Sequence, residues 1–259
     1  MISTELDRPA LSGLRGIAIL QGLDDEVLQE VARACRFQLV RARQTVMSRA
    51  DTDRDCCLVL SGRLRVVALS PNGREVSFRD AGAGETLGEM AALDGQPRSA
   101  TVVALQESLL ARIGAADLKT LLREHWPVCE RLLLHLARTA RALTERVYEL
   151  TTLSVQQRLC AELLRLAVDA GAPIAAGVRS TRLVLRPAPS HGEMAGRIGC
   201  TREQVAREMG ELVRQGVIRC ERKPGRESEA IAIEDVRRLA ERIEGAVPAG
   251  TASVAPLPF

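Results

Sequence analysis

The sequence lacks the features that mark membrane and exported proteins. It contains no run of about eighteen apolar residues, so no segment is predicted to span a bilayer. Its first residues, MISTELDRPALSGLRG, have no basic flank followed by an uninterrupted apolar stretch, which argues against a signal peptide. These two absences predict a cytoplasmic protein with no membrane partner.

Paired cysteines and clustered histidines are also missing. The seven cysteines form no CxxC pair, which does not favour a disulfide framework. The three histidines show no helical metal-ligand spacing, so we expect no metal. We interpret the cysteines as buried thiols, and a redox-sensing role for Cys35, Cys56 or Cys57 stays open. No lysine-bearing phosphate loop and no catalytic constellation is found, so an enzyme is not predicted.

The charges are unevenly distributed along a chain long enough for two domains. The protein has 259 residues, 46% of them hydrophobic, and a net charge of +3. Residues 1–153 hold 20 basic and 20 acidic side chains, whereas residues 179–226 hold 11 basic and 5 acidic ones. A basic patch confined to one small domain is typical of a protein that binds a polyanion.

Two structural patterns precede that basic region. From about Arg36 to Ile113, short β-type runs alternate with Gly, Asn and Pro turns, which indicates a β-roll or barrel. From Trp126 a helix follows whose apolar residues step by four and three alternately, as in a coiled-coil seam. The seam favours a parallel homodimer over a stripe packed on its own domain, and it comprises Cys129, Leu133, Leu136, Ala140, Leu143, Val147 and Leu150.

The segment SHGEMAGRIGCTREQVAREMGELVRQGVI predicts a helix-turn-helix. Ser190 with Glu193 and Thr201 with Gln204 each match a capping box, and Gly199 lies between them. In the second helix the buried face is predicted to consist of Val205, Met209, Leu212 and Val213. Its opposite face, predicted to be exposed, consists of Arg202, Glu203, Ala206 and Arg207. Gly216 marks the end of this helix, and a two-stranded wing with a basic tip at Lys223 follows.

The exposed face of the second helix has the chemistry to read bases. Arginine pairs with guanine in the major groove, and glutamate accepts a hydrogen bond from cytosine. We therefore predict double-stranded DNA as partner, although a solvated face with an incidental Glu203–Arg207 pair is the alternative. The predicted DNA-binding residues are Ser190, Thr201, Arg202, Glu203, Arg207 and Lys223.

The stretch GETLGEMAALDGQPRSATVVA, from Gly84 to Ala104, is typical of a nucleotide-binding loop. Backbone N–H groups around Gly88 and Met90 would face an anion, and Arg98 and Ser99 would add a forked cation and a hydroxyl for phosphate oxygens. Glu89 would repel a phosphate but can accept a hydrogen bond from a ribose hydroxyl. The set indicates a nucleotide held without a triphosphate cradle.

GEMAALDGQPRSATVVA resembles the phosphate-binding cassette of cyclic-nucleotide-binding domains, and LSGRLRVV resembles the strand pair ahead of it. The whole order is similar to the cyclic-AMP receptor/fumarate-nitrate regulator family. The resemblance implies an α+β chain with a jelly-roll-like β-roll, a long dimerisation helix and a winged helix-turn-helix. The implied limits are residues 1–125 for the β-roll domain, 126–153 for the dimerisation helix and hinge, 154–245 for the DNA-binding domain and 246–259 for a disordered tail.

The resemblance also assigns roles to residues. It implies that Glu89 binds the ribose 2′-hydroxyl and that Arg98 and Ser99 bind the cyclic phosphate. The base would meet Leu143 and Thr144, where only one hydroxyl of the family's pair is retained, and we favour cyclic AMP over cyclic GMP. Further implications are RNA polymerase as a partner and a TGTGA-like palindrome read by Arg202, Glu203 and Arg207.

Two alternatives stay open. The same DNA-binding regulator could work without an effector or respond to another signal, such as cyclic GMP or redox change. The chain could instead be a cyclic-nucleotide-binding module that controls an attached enzyme or channel, although the helix-turn-helix would then be unexplained. The cysteine cluster of the family's iron–sulfur branch is missing, which disfavours oxygen sensing.

Overall fold

The computed structural model describes residues 7–69, 75–169, 182–221 and 230–244. The chain divides into two compact units, one extending to Ala142 and the other beginning at Leu143. The predicted limits at residues 125, 153 and 245 stay predictions, and the tail 246–259 lies outside the described residues.

The first unit contains two antiparallel sheets of four strands. The first sheet, in the order β1-β8-β3-β6, consists of β1 (Cys35–Val40), β3 (Cys56–Ser61), β6 (Thr86–Leu87) and β8 (Ser108–Ile113). The second sheet, in the order β2-β7-β4-β5, consists of β2 (Thr45–Met47), β4 (Arg63–Leu69), β5 (Glu75–Gly82) and β7 (Thr101–Ala104). The predicted β-roll is confirmed.

Period-two alternation builds the interior of this roll. In β7 every second residue is buried, because successive side chains of a strand point to opposite faces. The two sheets share one apolar cluster, to which the first sheet gives Cys57, Val59 and Leu110 and the second gives Met47, Leu64 and Val102. Both β2 and β6 were missed by sequence reasoning, since three and two residues are too few to show a period.

Helices cover the other face of the first sheet. They are α1 (Asp7–Arg15), α2 (Asp25–Ala34), α4 (Ala115–Glu124) and the first turns of α5 (Trp126–Thr152), while the short α3 (Glu89–Asp94) follows β6. Leu28, Leu118, Val128 and Leu132 from these helices pack in one cluster with Ile113 of β8. Helix α2 begins after its N-cap Asp24, and α1 was not predicted.

The long helix α5 carries the predicted seam on its surface. The exposed fractions of Leu133, Leu143, Val147 and Leu150 lie between 43% and 61%. A stripe packed on its own domain would be buried, so that alternative does not describe these four side chains. The dimer itself stays a prediction.

The second unit is a helical domain with a small sheet. Its elements are α6 (Val155–Asp169), β9 (Leu183–Leu185), α7 (His191–Ile198), α8 (Arg202–Arg214), β10 (Ile218–Glu221), β11 (Ala230–Ile233) and α9 (Val236–Glu244). The strands form an antiparallel sheet in the order β10-β11-β9. The helix-turn-helix and the two wing strands are confirmed, and the wing tip with Lys223 lies outside the described residues.

The prediction that Val213 belongs to the buried face of α8 is wrong. Val205, Met209 and Leu212 are buried, but the exposed fraction of Val213 is 40%. The three buried residues already span two turns at the i, i+4, i+7 spacing, and Val213 lies one helical step, about 100°, beyond Leu212. The helix ends at Arg214, and Gly216 follows with a φ of +66°.

Candidate functional site

A turn that requires glycine joins β6 to α3. Gly88 has a φ of +77° and is the N-cap of α3. A Cβ atom at this position would lie 2.5 Å from Arg98 Nη1 and 3.2 Å from the carbonyl oxygen of Asp55. Both the left-handed backbone and the close approach of Arg98 exclude a larger side chain here. Gly88 therefore shapes the site into which Arg98 fits.

Arg98 is buried and held by the backbone. Only 3% of the residue is exposed. Its Nη1 donates to the Gly88 carbonyl at 3.0 Å, and its Nη2 donates to the Asp55 carbonyl at 2.7 Å. Its Nε is also buried and has no hydrogen-bond partner among the residues that the structure describes. A guanidinium fixed in place with a donor left over is suited to binding an anion.

A carboxylate and a second arginine lie beside Arg98, and sequence reasoning missed both. Asp53 accepts hydrogen bonds from Nη2 of Arg98 and from Nη2 of Arg112, which lies on β8. Arg112 Nη1 also donates to the Val46 carbonyl at 3.3 Å. Burial opposes ionisation of Asp53, but the Asp55 backbone N–H and the two arginines outweigh it and lower the pKa of Asp53. Asp53 is therefore ionised at neutral pH.

Glu89 lies at the start of α3 and is buried. Its exposed fraction is 6%. Nε2 of His135 on α5 lies 3.7 Å from Glu89 Oε1, and that nitrogen has no hydrogen-bond partner in the described part of the chain. A buried carboxylate is a strong acceptor for a hydroxyl group, and the ribose contact of Glu89 stays a prediction. His135 was not among the predicted site residues.

The other predicted effector residues differ from this buried group in their exposure. The side chain of Met90 is half-exposed and Ser99 is exposed, so the structure brings together Gly88, Glu89 and Arg98. Leu143 and Thr144 belong to the other compact unit, and their contact with the base stays a prediction.

The three cysteines near this site are packing residues. Cys35, Cys56 and Cys57 are buried and unpaired. Burial raises the pKa of Cys35 and of Cys57 to about 12, and it raises the pKa of Cys56 well above its ordinary value. Because the thiolate is the reactive form, these side chains are protonated and unreactive at neutral pH. The redox alternative has no support from them.

Both helices of the helix-turn-helix begin with the predicted capping boxes. Ser190 Oγ accepts from the Glu193 backbone at 3.2 Å, and Glu193 Oε2 accepts from the Ser190 backbone at 2.9 Å. The same reciprocal pair joins Thr201 and Gln204 at 3.2 and 2.9 Å. Ser190 and Thr201 thus define where α7 and α8 begin, and their contacts with DNA stay predictions.

The exposed face of α8 presents the three predicted base-reading side chains. Arg202, Glu203 and Arg207 are all exposed. Arg207 lies 3.5 Å from Glu208, so the incidental Glu203–Arg207 pair is not the observed one. The Glu203 backbone N–H and the Thr201 hydroxyl lower the pKa of Glu203. The face therefore carries an ionised acceptor between two arginines.

A buried ion network fixes α7 within the second unit. Glu149, near the end of α5, accepts from Arg146 at 2.9 Å and from Arg165 of α6. Glu162 accepts from Arg165 at 3.0 Å and from Arg197 of α7 at 2.9 Å. The network links α5, α6 and α7, and sequence reasoning did not find it because its hydrogen-bonded residues are up to 35 positions apart in the chain.

Membrane-spanning helices and metal-ligand clusters are both absent from residues 7–69, 75–169, 182–221 and 230–244. No helix there is long and apolar enough to cross a bilayer. Within those same ranges, no three His, Cys, Asp or Glu residues cluster as a metal site would need.

Comparisons with known proteins agree with this layout. A family model of the cyclic nucleotide-binding domain matches residues 37–125, and a model of the Crp-like helix-turn-helix domain matches residues 157–242. The chain is 24% identical to a CRP-like cAMP-activated global transcriptional regulator of Mycobacterium tuberculosis, over 86% of this chain and 95% of that protein. It is 28% identical to a cyclic AMP receptor protein of Thermus thermophilus, over 80% of this chain and 90% of that one.

A solved structure shows the same fold. The c-di-GMP responsive global regulator CLP of Xanthomonas campestris aligns with a TM-score of 0.65 and 22% identity, over 81% of this chain and 99% of its own. With a cyclic nucleotide-binding domain followed by a Crp-like DNA-binding helix-turn-helix, the chain belongs to the cyclic-AMP receptor/fumarate-nitrate family of transcription regulators.

Proposed function

We propose that this protein is a dimeric transcription regulator whose DNA binding is controlled by a cyclic nucleotide, with cyclic AMP favoured over cyclic GMP. The observation that carries the proposal is the buried Arg98, which the backbone holds beside the buried Glu89. A cation for phosphate and an acceptor for ribose within one loop fit a cyclic nucleotide. The relatives named for cyclic AMP support that choice of base.

The residues present fit the effector, and each has a defined task. Arg98 would hold the cyclic phosphate through its forked donors, including the Nε that has no partner among the described residues. Ser99 would add a hydroxyl, Gly88 and Met90 would add backbone N–H groups, and Glu89 would accept from the ribose 2′-hydroxyl. Base contact by Leu143 and Thr144 rests on the family resemblance.

The exposed seam of α5 supports a homodimer. Leu133, Leu143 and Val147 recur at helical spacing on the surface of α5, and apolar side chains at this spacing pair with a second copy of the same helix. A dimer would place two copies of α8 on successive major grooves, about 34 Å apart in helix-turn-helix proteins. A two-fold dimer reads a palindrome, and we propose TGTGA-like half-sites. Contact with RNA polymerase is a further part of the proposal.

Fluorescence anisotropy tests this function directly. A labelled duplex with a TGTGA-N6-TCACA palindrome is titrated with the protein at fixed salt, with cyclic AMP, with cyclic GMP and with neither. We expect binding to tighten with cyclic AMP, because an effector shifts the protein towards whichever state it binds better. Tight binding to the duplex that neither nucleotide changes would reject control by a cyclic nucleotide. Absence of specific binding under all three conditions would reject either the TGTGA half-site or the class of effector.

A second candidate is the same DNA-binding regulator without an effector. The observation that favours it is Asp53, which already pairs with the arginine assigned to phosphate. In that case Asp53 would hold the DNA-binding form permanently. The nucleotide-free arm of the same titration distinguishes the two candidates.

Replacing Glu203 by Ala is expected to relax base preference at one position of each half-site. The substitution removes the acceptor for a cytosine amino group and so reduces discrimination there by about 1–3 kcal/mol. Competition among duplexes altered one base pair at a time measures the change. Glu241→Ala removes the same charge from an exposed position on α9 and should leave the profile unaltered. An unaltered profile in E203A would remove Glu203 from base readout.

A further inference from the structure

The phosphate-binding arginine has a counterion from its own chain. Asp53 lies in the loop before β3 and bridges Nη2 of Arg98 and Nη2 of Arg112. The Arg98 side chain is 2% exposed, that of Arg112 is 14% exposed and that of Asp53 is 42% exposed. One accessible carboxylate therefore lies against two largely buried guanidinium groups, and the carboxylate of Asp55 lies 3.7 Å from Nε of Arg112.

The two arginines are held by contacts that do not depend on Asp53. Arg98 donates to the carbonyls of Gly88 and Asp55 at 3.0 and 2.7 Å. Arg112 lies on β8, which pairs with both β1 and β3, and it donates to the Val46 carbonyl at 3.3 Å. The carboxylate is thus the part of the cluster that can leave, while both cations keep their positions.

A phosphate cannot take these two Nη2 donors while Asp53 stays in place. The carboxylate is ionised at neutral pH, since its pKa is lowered, and two anions on the same guanidinium edge repel each other. If Asp53 turns towards solvent, it frees one Nη2 donor on each arginine at the place where its two oxygens lay. The two non-bridging oxygens of a phosphodiester can accept the same two hydrogen bonds.

We propose that Asp53 is an internal competitor of the effector phosphate and that Arg112 is a second phosphate-binding cation, an inference that rests on the proposed function. The effector binds by exchanging a carboxylate for a phosphate between the same two arginines. The apparent dissociation constant is then the intrinsic constant divided by the fraction of molecules in which Asp53 has left the arginines. Asp53 thereby sets the nucleotide concentration at which the protein responds.

The test is a calorimetric titration of the full chain with cyclic AMP and with cyclic GMP. Asp53→Asn keeps the shape of the side chain but removes the charge that competes, so we expect binding at least tenfold tighter than in the wild type. The matched control is Asp51→Asn in the same loop. Asp51 accepts from the Ser48 backbone at 2.7 Å, a bond that an amide oxygen preserves, and the charge change is identical.

A double variant tests the role assigned to Arg112. In the Asp53→Asn background, Arg112→Gln removes a cation that Asp53 no longer neutralises. We expect nucleotide affinity to fall at least tenfold from that of D53N, with thermal unfolding monitored to verify that both proteins are folded. Unchanged affinity would overturn the assignment of Arg112 to the phosphate.

The outcomes separate this inference from the function on which it rests. Tighter binding by D53N with D51N unchanged supports it, as does binding by D53N when the wild type binds neither nucleotide. Equal affinity of the wild type, D53N and D51N overturns the competition and leaves the effector proposal intact. Absence of binding in every variant overturns both.

Discussion

Replacing Arg98 by Leu is expected to abolish effector-dependent DNA binding and to weaken cyclic nucleotide binding by at least about 100-fold. Hydrogen bonds to charged groups contribute about 1.5–3 kcal/mol each, and leucine can make none. Calorimetry with cyclic AMP measures the affinity, and anisotropy with the palindromic duplex measures its consequence for DNA. The nucleotide-free protein should keep its basal affinity for DNA.

Loss of a buried arginine also affects stability, which calls for a matched variant. Arg65 on β4 is 9% exposed and pairs with Asp80 at 2.8 Å. Arg65→Leu leaves Asp80 with Arg63, just as Arg98→Leu leaves Asp53 with Arg112. We expect both variants to have a lowered Tm and only R98L to lose nucleotide affinity. Equal losses of nucleotide affinity in R98L and R65L would show that the effect comes from destabilisation. Full affinity in a folded R98L would show that Arg98 does not bind the phosphate.

The parts of the site that sequence predicted are those encoded locally. The caps at Ser190 and Thr201 depend on side chains three residues apart, and both capping boxes are present. Gly88, Glu89 and Arg98 occur within eleven residues of one another, in a segment whose turn and short helix follow from its glycines. Short-range chemistry of this kind is readable because the backbone fixes which side chains meet.

The parts that sequence did not predict reach the site through strand and helix pairing. Asp53 is 45 residues from Arg98 and 59 from Arg112 in the chain. Asp53 meets Arg112 because β3 and β8 are neighbours in one sheet, and Arg98 joins them by donating to the Asp55 carbonyl. His135 reaches Glu89 from α5. From the sequence alone, Asp53 in the stretch DTDRD is indistinguishable from an ordinary polar loop residue, because its partners are known only from the register of the sheet.

The register between β3 and β8 determines the position of the charge cluster as well as the packing of the core. Cys57 of β3 is paired with Arg112 of β8, with alternate residues of β3 and β8 facing opposite sides. A slip of one residue would turn Arg112 to the other face and leave Asp53 with one arginine. The positions of the buried Cys57 thiol and of the charge cluster are therefore specified by the same strand pairing.

The other large effect is expected on α5, where Val147→Glu should dissociate the proposed dimer. Val147 is 61% exposed in the single chain, so a glutamate there costs the folded chain little. Across a parallel seam it would bring two carboxylates together and bury them, at several kcal/mol for each ion. We expect the dimer dissociation constant to rise at least about 100-fold, measured by analytical ultracentrifugation.

Loss of the dimer should remove palindrome recognition even though α8 is intact. A single copy reads one half-site, so the affinity for the palindrome should fall to that for a half-site duplex, with or without cyclic AMP. Ala142→Glu is the control, because Ala142 is exposed on the same helix and lies outside the seam. If V147E stays dimeric at the concentrations at which A142E does, the interface lies elsewhere. The exposed row of Leu133, Leu143, Val147 and Leu150 would then need another partner, since four large apolar side chains on one surface helix mark a contact site.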